Sequence, residues 1–416
     1  MASASFAPLR HRSFALALSA NFISSTGSWM QSVALGIYLT LTTHNALWLG
    51  LLTLSAWLPA IIGSPIGGVM ADRMRRERWI QINNLLQAAA AIALAVAELT
   101  HHLSPLVACL LAIFEGLCGS ASWAAWQSLL RDLVDKDEVL SAVSLSSAQF
   151  NLGRIIGPVF AAGLLAIGNP GWCFVANALS YIVVVVGFSF VHSPERHVTP
   201  SAFTPIADTI AGARAGWAAR GARNGIVMVG VVGIVISPFI TLVPAMGIDV
   251  LHAGKIGVSW MVTAQGVGAV LGALVLPALA KRTSRLGVLQ GSLVVAAVSE
   301  GLYAYAPNLA CSVAALTILG CAYVGCMTGL NTVVQIHAPE RERSRVLSLY
   351  VLSLSVFYPI GAVFQADLAH HVGVRIVSVL AAAVFLALLA VMTVWRPQWW
   401  HDMGVPRSDA EVLVAD

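Results

Sequence analysis

Long apolar stretches separated by short polar intervals run through the whole chain. Twelve of them hold about 20 mostly apolar residues or more, the length that a helix needs to cross a bilayer. The pattern therefore predicts an all-α integral membrane protein with twelve transmembrane helices. The predicted spans are Ser13–Leu39, Leu47–Val69, Trp79–Leu99, Pro105–Leu129, Leu140–Ile167, Cys173–Val191, Ile226–Met246, Ile256–Leu279, Leu286–Tyr305, Leu309–Val334, Leu347–Leu368 and Ile376–Val394.

The composition excludes a soluble protein. Hydrophobic residues make up 58% of the chain and charged residues 10%, whereas an ordinary globular protein has about 25% charged residues. A cytosolic enzyme, a secreted disulfide scaffold and a nucleic-acid-binding protein are therefore not expected. The six cysteines all lie in apolar stretches, which indicates small buried residues rather than disulfides or metal ligands. We expect neither a metal nor a cofactor.

The basic residues orient the predicted helices. Lysine and arginine accumulate in cytoplasmic loops, and with both termini cytoplasmic all but three of the 23 basic residues lie on that side. The exceptions are Lys255 and Arg375, in outer loops, and Arg154, within a span. The net charge of +4 is thus a signal of topology. We expect a multi-pass protein of the cytoplasmic (inner) membrane.

One long polar interval divides the chain into two sets of six spans. We predict an N-terminal half at 1–192, a cytoplasmic central loop at 193–224, a C-terminal half at 225–396 and a cytoplasmic tail at 397–416. A shift of 204 residues pairs several positions of the halves, including Gly157 with Gly361. Because each half has an even number of spans, the halves have parallel topology, and a substrate cavity is expected between them near the midplane. We expect a monomer.

Charged residues inside the predicted spans are candidates for proton coupling. A charge at mid-membrane costs at least about 2.5–3.5 kcal/mol on insertion scales, so each one suggests a function. Glu115 lies in the fourth span and Arg154 in the fifth, and we expect them to pair or share water. The alternative is a permanent ion pair that locks the two helices. Asp367, which aligns with Gly163 in the repeat, is the next candidate.

Polar and aromatic residues along the spans are candidates for the substrate cavity. An apolar cavity with a few polar groups suits a bulky amphipathic solute better than a sugar. The candidates are Asn21, Gln31, Trp126, Gln127, Gln149, Asn151, Gln265, Asn331 and Tyr358.

The loop after the second span reads GGVMADRMRRER and resembles the signature loop of the major facilitator superfamily. The resemblance implies that Gly68 permits close helix approach. It implies that Asp72 faces a helix N-terminus in the other half, and that Arg73 and Arg76 pair with acidic groups where the cytoplasmic side closes. The alternative is a basic loop that obeys the positive-inside rule.

The fifth span, NLGRIIGPVFAAG, resembles the antiporter motif of exporters in this superfamily. Gly153, Gly157, Pro158 and Gly163 carry the resemblance. Small residues let helices pack closely, and proline bends a helix because it lacks an N–H donor. From Glu115 to Gly163 the chain resembles the branch that includes macrolide efflux proteins and catecholate-siderophore exporters. The alternative explanation for these residues is that glycine and proline are common in membrane helices.

These features predict a proton-driven exporter working by alternating access. Its expected partners are protons, the lipid bilayer and a small-molecule substrate such as a drug, a secondary metabolite or a siderophore, without nucleic acid. An importer of the same fold is the main alternative, and a non-transporting receptor or scaffold is a further one. The chain has no Gly-x-x-x-x-Gly-Lys-Ser/Thr loop and no His-Glu-x-x-His or Gly-x-Ser-x-Gly motif, so ATP-driven transport and an enzyme are not expected.

Overall fold

The computed structural model describes residues 6–193 and 214–404, and the regular secondary structure of these residues is helical. Residues 194–213 of the predicted central loop and 405–416 of the predicted tail lie outside this part. The long helices are α1 (Arg12–Thr43), α2 (Leu47–Arg73), α3 (Arg76–Leu99), α4 (Pro105–Leu129), α5 (Val139–Ile167), α6 (Gly171–Phe188), α7 (Arg220–Val250), α8 (Gly254–Arg282), α9 (Arg285–Ala304), α10 (Leu309–His337), α11 (Arg343–Val372) and α12 (Val374–Trp395), and a short α13 (Pro397–Gly404) follows.

Each predicted span falls on one of these helices, and several helix starts follow from local chemistry. Ser104 caps α4, its hydroxyl accepting from the amide of Val107, with Pro105 at the first helical position. Asn308 caps α10 in the same way. Such caps satisfy amide groups that have no partner inside the helix. The largest difference is at α7, which begins six residues before the predicted start because its first turn is polar.

Two of the long helices are interrupted. α2 consists of Leu47–Trp57 and Ala60–Arg73, separated next to Pro59. α7 consists of Arg220–Val235, Phe239–Ala245 and a π-helical turn, Met246–Val250. Proline cannot donate a backbone hydrogen bond, which favours such breaks.

Eleven helices of the described residues are long and apolar enough to cross a membrane. α1 is less apolar than these eleven helices, although its 32 residues exceed the length required. Its middle carries Asn21, Gln31 and several serines, which lower its mean hydropathy. The twelve predicted spans therefore comprise eleven strongly apolar helices and one helix, α1, of lower hydropathy.

The chain forms two compact units. The first contains the described residues up to 193 together with 243–266, and the second contains 214–242 and 267–404. In the first unit α1 packs on α5 and α6, while α4 packs on α2 and α3. In the second unit α9 packs on α10 and α12, and α7 packs on α10 and α11. The division into halves at residues 192 and 225 stays a prediction.

Candidate transport site

The first unit contains a cavity of about 340 Å³. Its walls combine aromatic rings with hydroxyl and amide groups, and none of its lining residues is charged. The lining residues are Asn21, Ser24, Ser25, Ser28, Trp29, Ser32, Trp57, Asn84, Gln87, Gly119, Ser122, Trp123, Trp126, Gln149, Phe150 and Tyr181.

Serines on α1 provide most of the hydroxyl groups. Ser24, Ser28 and Ser32 are spaced four residues apart, so they share one face of the helix. The hydroxyl of Ser28 lies 3.1 Å from that of Tyr181 on α6. On the neighbouring face, Gln149 of α5 donates to Ser25 Oγ at 2.7 Å. These bonds fix the polar wall between three helices.

Aromatic rings make up the other part of the cavity lining. Phe150 lies between two tryptophans, with ring centroids 6.0 Å from Trp29 and 5.7 Å from Trp123. Trp126 is buried and donates its indole N–H to Ser146 Oγ at 3.0 Å. Packed rings of this kind offer large, rigid surfaces for stacking.

A chain of hydrogen bonds holds Glu115 in place. Gln31 Nε2 donates to Glu115 Oε2 at 2.7 Å, and Asn177 Nδ2 donates to Gln31 Oε1 at 2.8 Å. Asn177 Oδ1 in turn accepts from Ser180 Oγ at 3.0 Å. The other oxygen of Glu115, Oε1, is buried without a hydrogen-bond partner among the described residues. The chain links α4, α1 and α6 through one carboxyl group.

Arg154, the predicted partner of Glu115, lies over the ring of Trp29, with its guanidinium carbon 5.3 Å from the centroid. This is a cation–π arrangement, and it brings a positive charge to a residue that lines the cavity. The structure thus gives Glu115 a neutral partner, Gln31. Direct pairing of Glu115 with Arg154 stays a prediction.

The other predicted cavity residues divide into three groups. Asn21, Trp126 and Gln149 line the cavity, and Gln31 contacts Glu115 behind it. Gln127 and Asn151 are half-buried residues outside the lining. The remaining three act in local contacts or are buried elsewhere: Asn331 accepts from Gln335 at 2.5 Å, the Tyr358 hydroxyl lies 3.1 Å from that of Thr241, and Gln265 is buried.

Asp367 is exposed near the end of α11. Arg375 donates to the backbone carbonyl of Ala306 at 3.4 Å. The coupling role of Asp367 stays a prediction.

Within the first unit the close approach occurs at Gly67, and the role expected of Gly68 stays a prediction. A Cβ added at Gly68 would meet no atom within 4 Å, whereas one added at Gly67 would lie 2.6 Å from Ala121 Cα. The tight contact between α2 and α4 therefore depends on Gly67. Gly68 points to the other face of α2, one residue further round the helix.

Arg76 pairs with acidic groups of the first unit, and its expected pairing at the closure between the halves stays a prediction. Its side chain is buried, donates to the Ser128 carbonyl at 3.0 Å and pairs with Asp132. Asp72 lies 3.7 Å from the same guanidinium group. Arg76 thus holds the end of α4, because its charged N–H groups satisfy carbonyl groups that the helix end leaves free. Arg73 is exposed.

The antiporter-type motif is a packing surface over part of its length. A Cβ added at Gly153 would lie 3.2 Å from the Thr26 amide nitrogen, and one added at Gly157 would lie 2.7 Å from the Thr26 carbonyl oxygen. Both glycines therefore let α5 approach α1, next to a buried Pro158. Gly163 does not take part, since a Cβ there would meet no atom within 4 Å.

Sequence reasoning missed part of the cavity. It did not select Asn84 and Gln87 on α3, or the serines of α1. Serines spaced four residues apart in a membrane helix were an available signal, because a polar stripe on such a helix needs polar groups on a neighbouring helix. The contribution of α3 had no comparable signal, since the helix carries four amide side chains, Gln81, Asn83, Asn84 and Gln87, and their spacing does not show which of them line a cavity.

The chain matches the family described as "Transmembrane secretion effector" (MFS_3) over residues 3–411. The chain belongs to this family. It is therefore a multi-pass membrane transporter of the major facilitator type that moves a small molecule, which confirms the predicted family and fold class. A transporter family of this type is not an enzyme class.

Curated relatives of the chain include exporters. The chain is 25% identical over 370 residues to the multidrug efflux pump Tap of Mycolicibacterium fortuitum, covering 85% of this chain and 89% of that protein. It is 25% identical over 362 residues to the enterobactin exporter EntS of Salmonella typhi, covering 86% of each chain. The Staphyloferrin A transporter of Staphylococcus aureus is 27% identical over 171 residues, which span 40% of this chain and 43% of that protein.

Solved structures show the same fold. The nucleoside transporter NupG has a TM-score of 0.74 at 13% identity, and the match covers 92% of this chain and 99% of that chain. A bacterial homolog of the human lysosomal transporter Spinster has a TM-score of 0.73 at 15% identity, with coverages of 95% and 99%. These likenesses concern the fold alone.

Proposed function

We propose that the protein is a proton-coupled exporter of a bulky, aromatic amphipathic solute. The observation that carries the proposal is the cavity of the first unit, with its aromatic rings and hydroxyl stripe, which borders α1, the helix whose Gln31 donates to Glu115. The proposal is supported by relatives whose names describe multidrug efflux and enterobactin export.

The lining favours a neutral aromatic solute with several hydroxyl or amide groups. Four tryptophans offer π-faces, and the serines, asparagines and glutamines offer donors and acceptors. A pocket with this mixture orients a ligand through few polar contacts while burying most of its apolar surface. The guanidinium group of Arg154, over the ring of Trp29, would also favour an acidic substituent on the solute.

Glu115 is the proposed site of proton exchange. The carboxylate accepts a charge-assisted hydrogen bond from Gln31, and such bonds are about twice as strong as neutral ones. Protonation of Glu115 removes this advantage and weakens its hydrogen bond with Gln31, which Asn177 holds from α6. Proton binding therefore changes the contact between α4, α1 and α6. Solute bound against α1 and α6 senses the same change.

The test compares Glu115→Gln with the wild type in liposomes. The solute comes from a thermal-stabilisation screen of siderophores, macrolides and aromatic dyes. We expect Glu115→Gln to lose accumulation driven by a pH gradient while keeping solute binding and exchange at equal concentrations, because the cavity is intact. Glu98→Gln, a buried carboxyl at the end of α3, is the matched control and should accumulate solute normally. Full accumulation by Glu115→Gln would remove Glu115 from the mechanism.

A further inference from the structure

The second unit contains a cavity of its own. It has a volume of about 740 Å³ and lies between α8, α9, α10 and α13. We call it the basal groove. It begins beside Gly272, where α8 touches α10: a Cβ at Gly272 would lie 2.6 Å from the Cys321 carbonyl oxygen. It ends at Lys281.

The basal groove has apolar walls along its length. Leucine, valine and isoleucine side chains of α8, α9 and α10 line it, and α10 comes close to α9 at Gly325 and Gly329. From Gly272 to Lys281 the groove follows about 14 Å of helix. This is roughly half the thickness of the hydrocarbon core of a bilayer, or one leaflet.

One end of the basal groove is positively charged. Lys281, at the end of α8, and Arg285, at the start of α9, line it and are both exposed. No aspartate or glutamate is among its lining residues, and within the described residues neither cation has an ion-pair partner. The two charges are therefore available to a ligand, and they belong to a loop on the side where the chain's basic residues accumulate.

A tryptophan-bearing helix lies at the same end. Met403 and Gly404 of α13 line the groove, and Trp400 of α13 is buried and donates to Thr393 at 3.1 Å. Trp395, just before α13, is 78% exposed. Tryptophan is enriched at the level of lipid headgroups. The charged end of the basal groove thus lies where headgroups would be, and its apolar part extends toward the chains.

We propose that the basal groove binds an anionic phospholipid. One acyl chain lies along the apolar wall between α8 and α10, and the phosphate group is held by Lys281 and Arg285. Basic pockets between transmembrane helices are suited to such headgroups. The bound lipid fills the space where α8 and α10 separate, so it fixes the spacing of these helices. The proposal concerns the second unit and does not depend on the direction of transport.

The test titrates delipidated, detergent-solubilised protein with phosphatidylglycerol or phosphatidylcholine and counts bound lipid by native mass spectrometry. We expect a preference for phosphatidylglycerol. A basic residue near an anionic lipid contributes about fivefold, so Lys281→Gln/Arg285→Gln should bind it about 25-fold more weakly. Arg282→Gln, an exposed neighbour outside the groove, is the control and should bind normally. An equal loss with Arg282→Gln, or no preference in the wild type, would overturn the proposal.

A second pair of variants tests the apolar part of the groove. Ala280→Phe fills the groove, whereas Ala278→Phe, on the same helix, lies outside the lining. We expect Ala280→Phe to weaken phosphatidylglycerol binding and Ala278→Phe to leave it unchanged. Inorganic phosphate is a competing probe. If phosphate displaces the lipid completely at millimolar concentration while Ala280→Phe has no effect, the site binds an anion and the lipid assignment is wrong.

Discussion

Gln31 is the residue on which the coupling hypothesis depends most, since it joins Glu115 to Asn177. Gln31→Leu leaves the hydrogen-bonding groups of both neighbours unsatisfied, at about 1–3 kcal/mol each. We expect solute accumulation driven by a pH gradient to fall about tenfold or more, together with a lower melting temperature. Liposome transport and thermal unfolding in detergent measure the two effects.

Thr40→Val is the matched control for Gln31→Leu. Thr40 is buried on the same helix, but its hydroxyl bonds to the Gly36 carbonyl of its own turn at 2.9 Å. This variant should transport solute at the wild-type rate. Equal transport by Gln31→Leu and the wild type would show that the hydrogen-bond chain does not participate in coupling.

For single residues, the sequence identifies a charged group inside a membrane span more readily than it identifies the hydrogen-bond partner of that group. Glu115 stands out because a carboxyl group in a membrane span is rare. Its partner could not be derived in the same way, because the contact with Gln31 depends on the rotation of α1 against α4. A shift of one residue would turn Gln31 by about 100°. Apolar and polar residues are mixed around α1, so their pattern does not determine this rotation.

At the level of elements, the packing of α5 on α1 can be tested by filling the space at a glycine. Gly157→Ala places a methyl group 2.7 Å from the Thr26 carbonyl oxygen and 2.7 Å from Trp29 Cβ. Overpacking of this kind costs about 1–3 kcal/mol, so we expect a lower melting temperature. Gly163→Ala, on the same helix with free space around it, should melt like the wild type. If the two variants melt alike, α5 does not pack on α1 through Gly157.

A second prediction at this level concerns Arg76 at the end of α4. Arg76→Ala removes the contacts with Ser128 and Asp132 at the end of α4, and hydrogen bonds to charged groups contribute about 1.5–3 kcal/mol. We expect a lower melting temperature for Arg76→Ala and an unchanged one for Arg73→Ala, measured in the same detergent. A larger effect of Arg73→Ala would contradict the structural role given to Arg76.

The helices themselves are largely determined by the sequence pattern. Apolar length and terminal polar residues place every predicted span on a helix. The breaks in α2 and α7 were not predicted, because both interrupted helices remain apolar through the break and hydropathy does not register a local change of backbone. Which glycine of a motif packs was also not predictable, since Gly67 and Gly68 differ only in the face they occupy.

For the complete protein, the alternation of basic loops is the basis for the predicted orientation. Cysteine substitutions in successive loops, labelled from outside intact cells, test it directly. With both termini cytoplasmic, a cysteine at Asn45 should react with an impermeant reagent and one at Arg282 should not, because lysine and arginine mark the inner side. Labelling of the Arg282 position and protection of the Asn45 position would invert the topology.

The direction and energy source of transport are the core of the proposed function, and one measurement addresses both. Inverted membrane vesicles are energised to an acidic interior, and accumulation of the solute found in the stabilisation screen is followed with and without a protonophore. Export appears as uptake into these vesicles. We expect protonophore-sensitive accumulation by the wild type and none by Glu115→Gln. Accumulation in energised whole cells instead, with none in inverted vesicles, would show an importer and refute the proposed direction of transport.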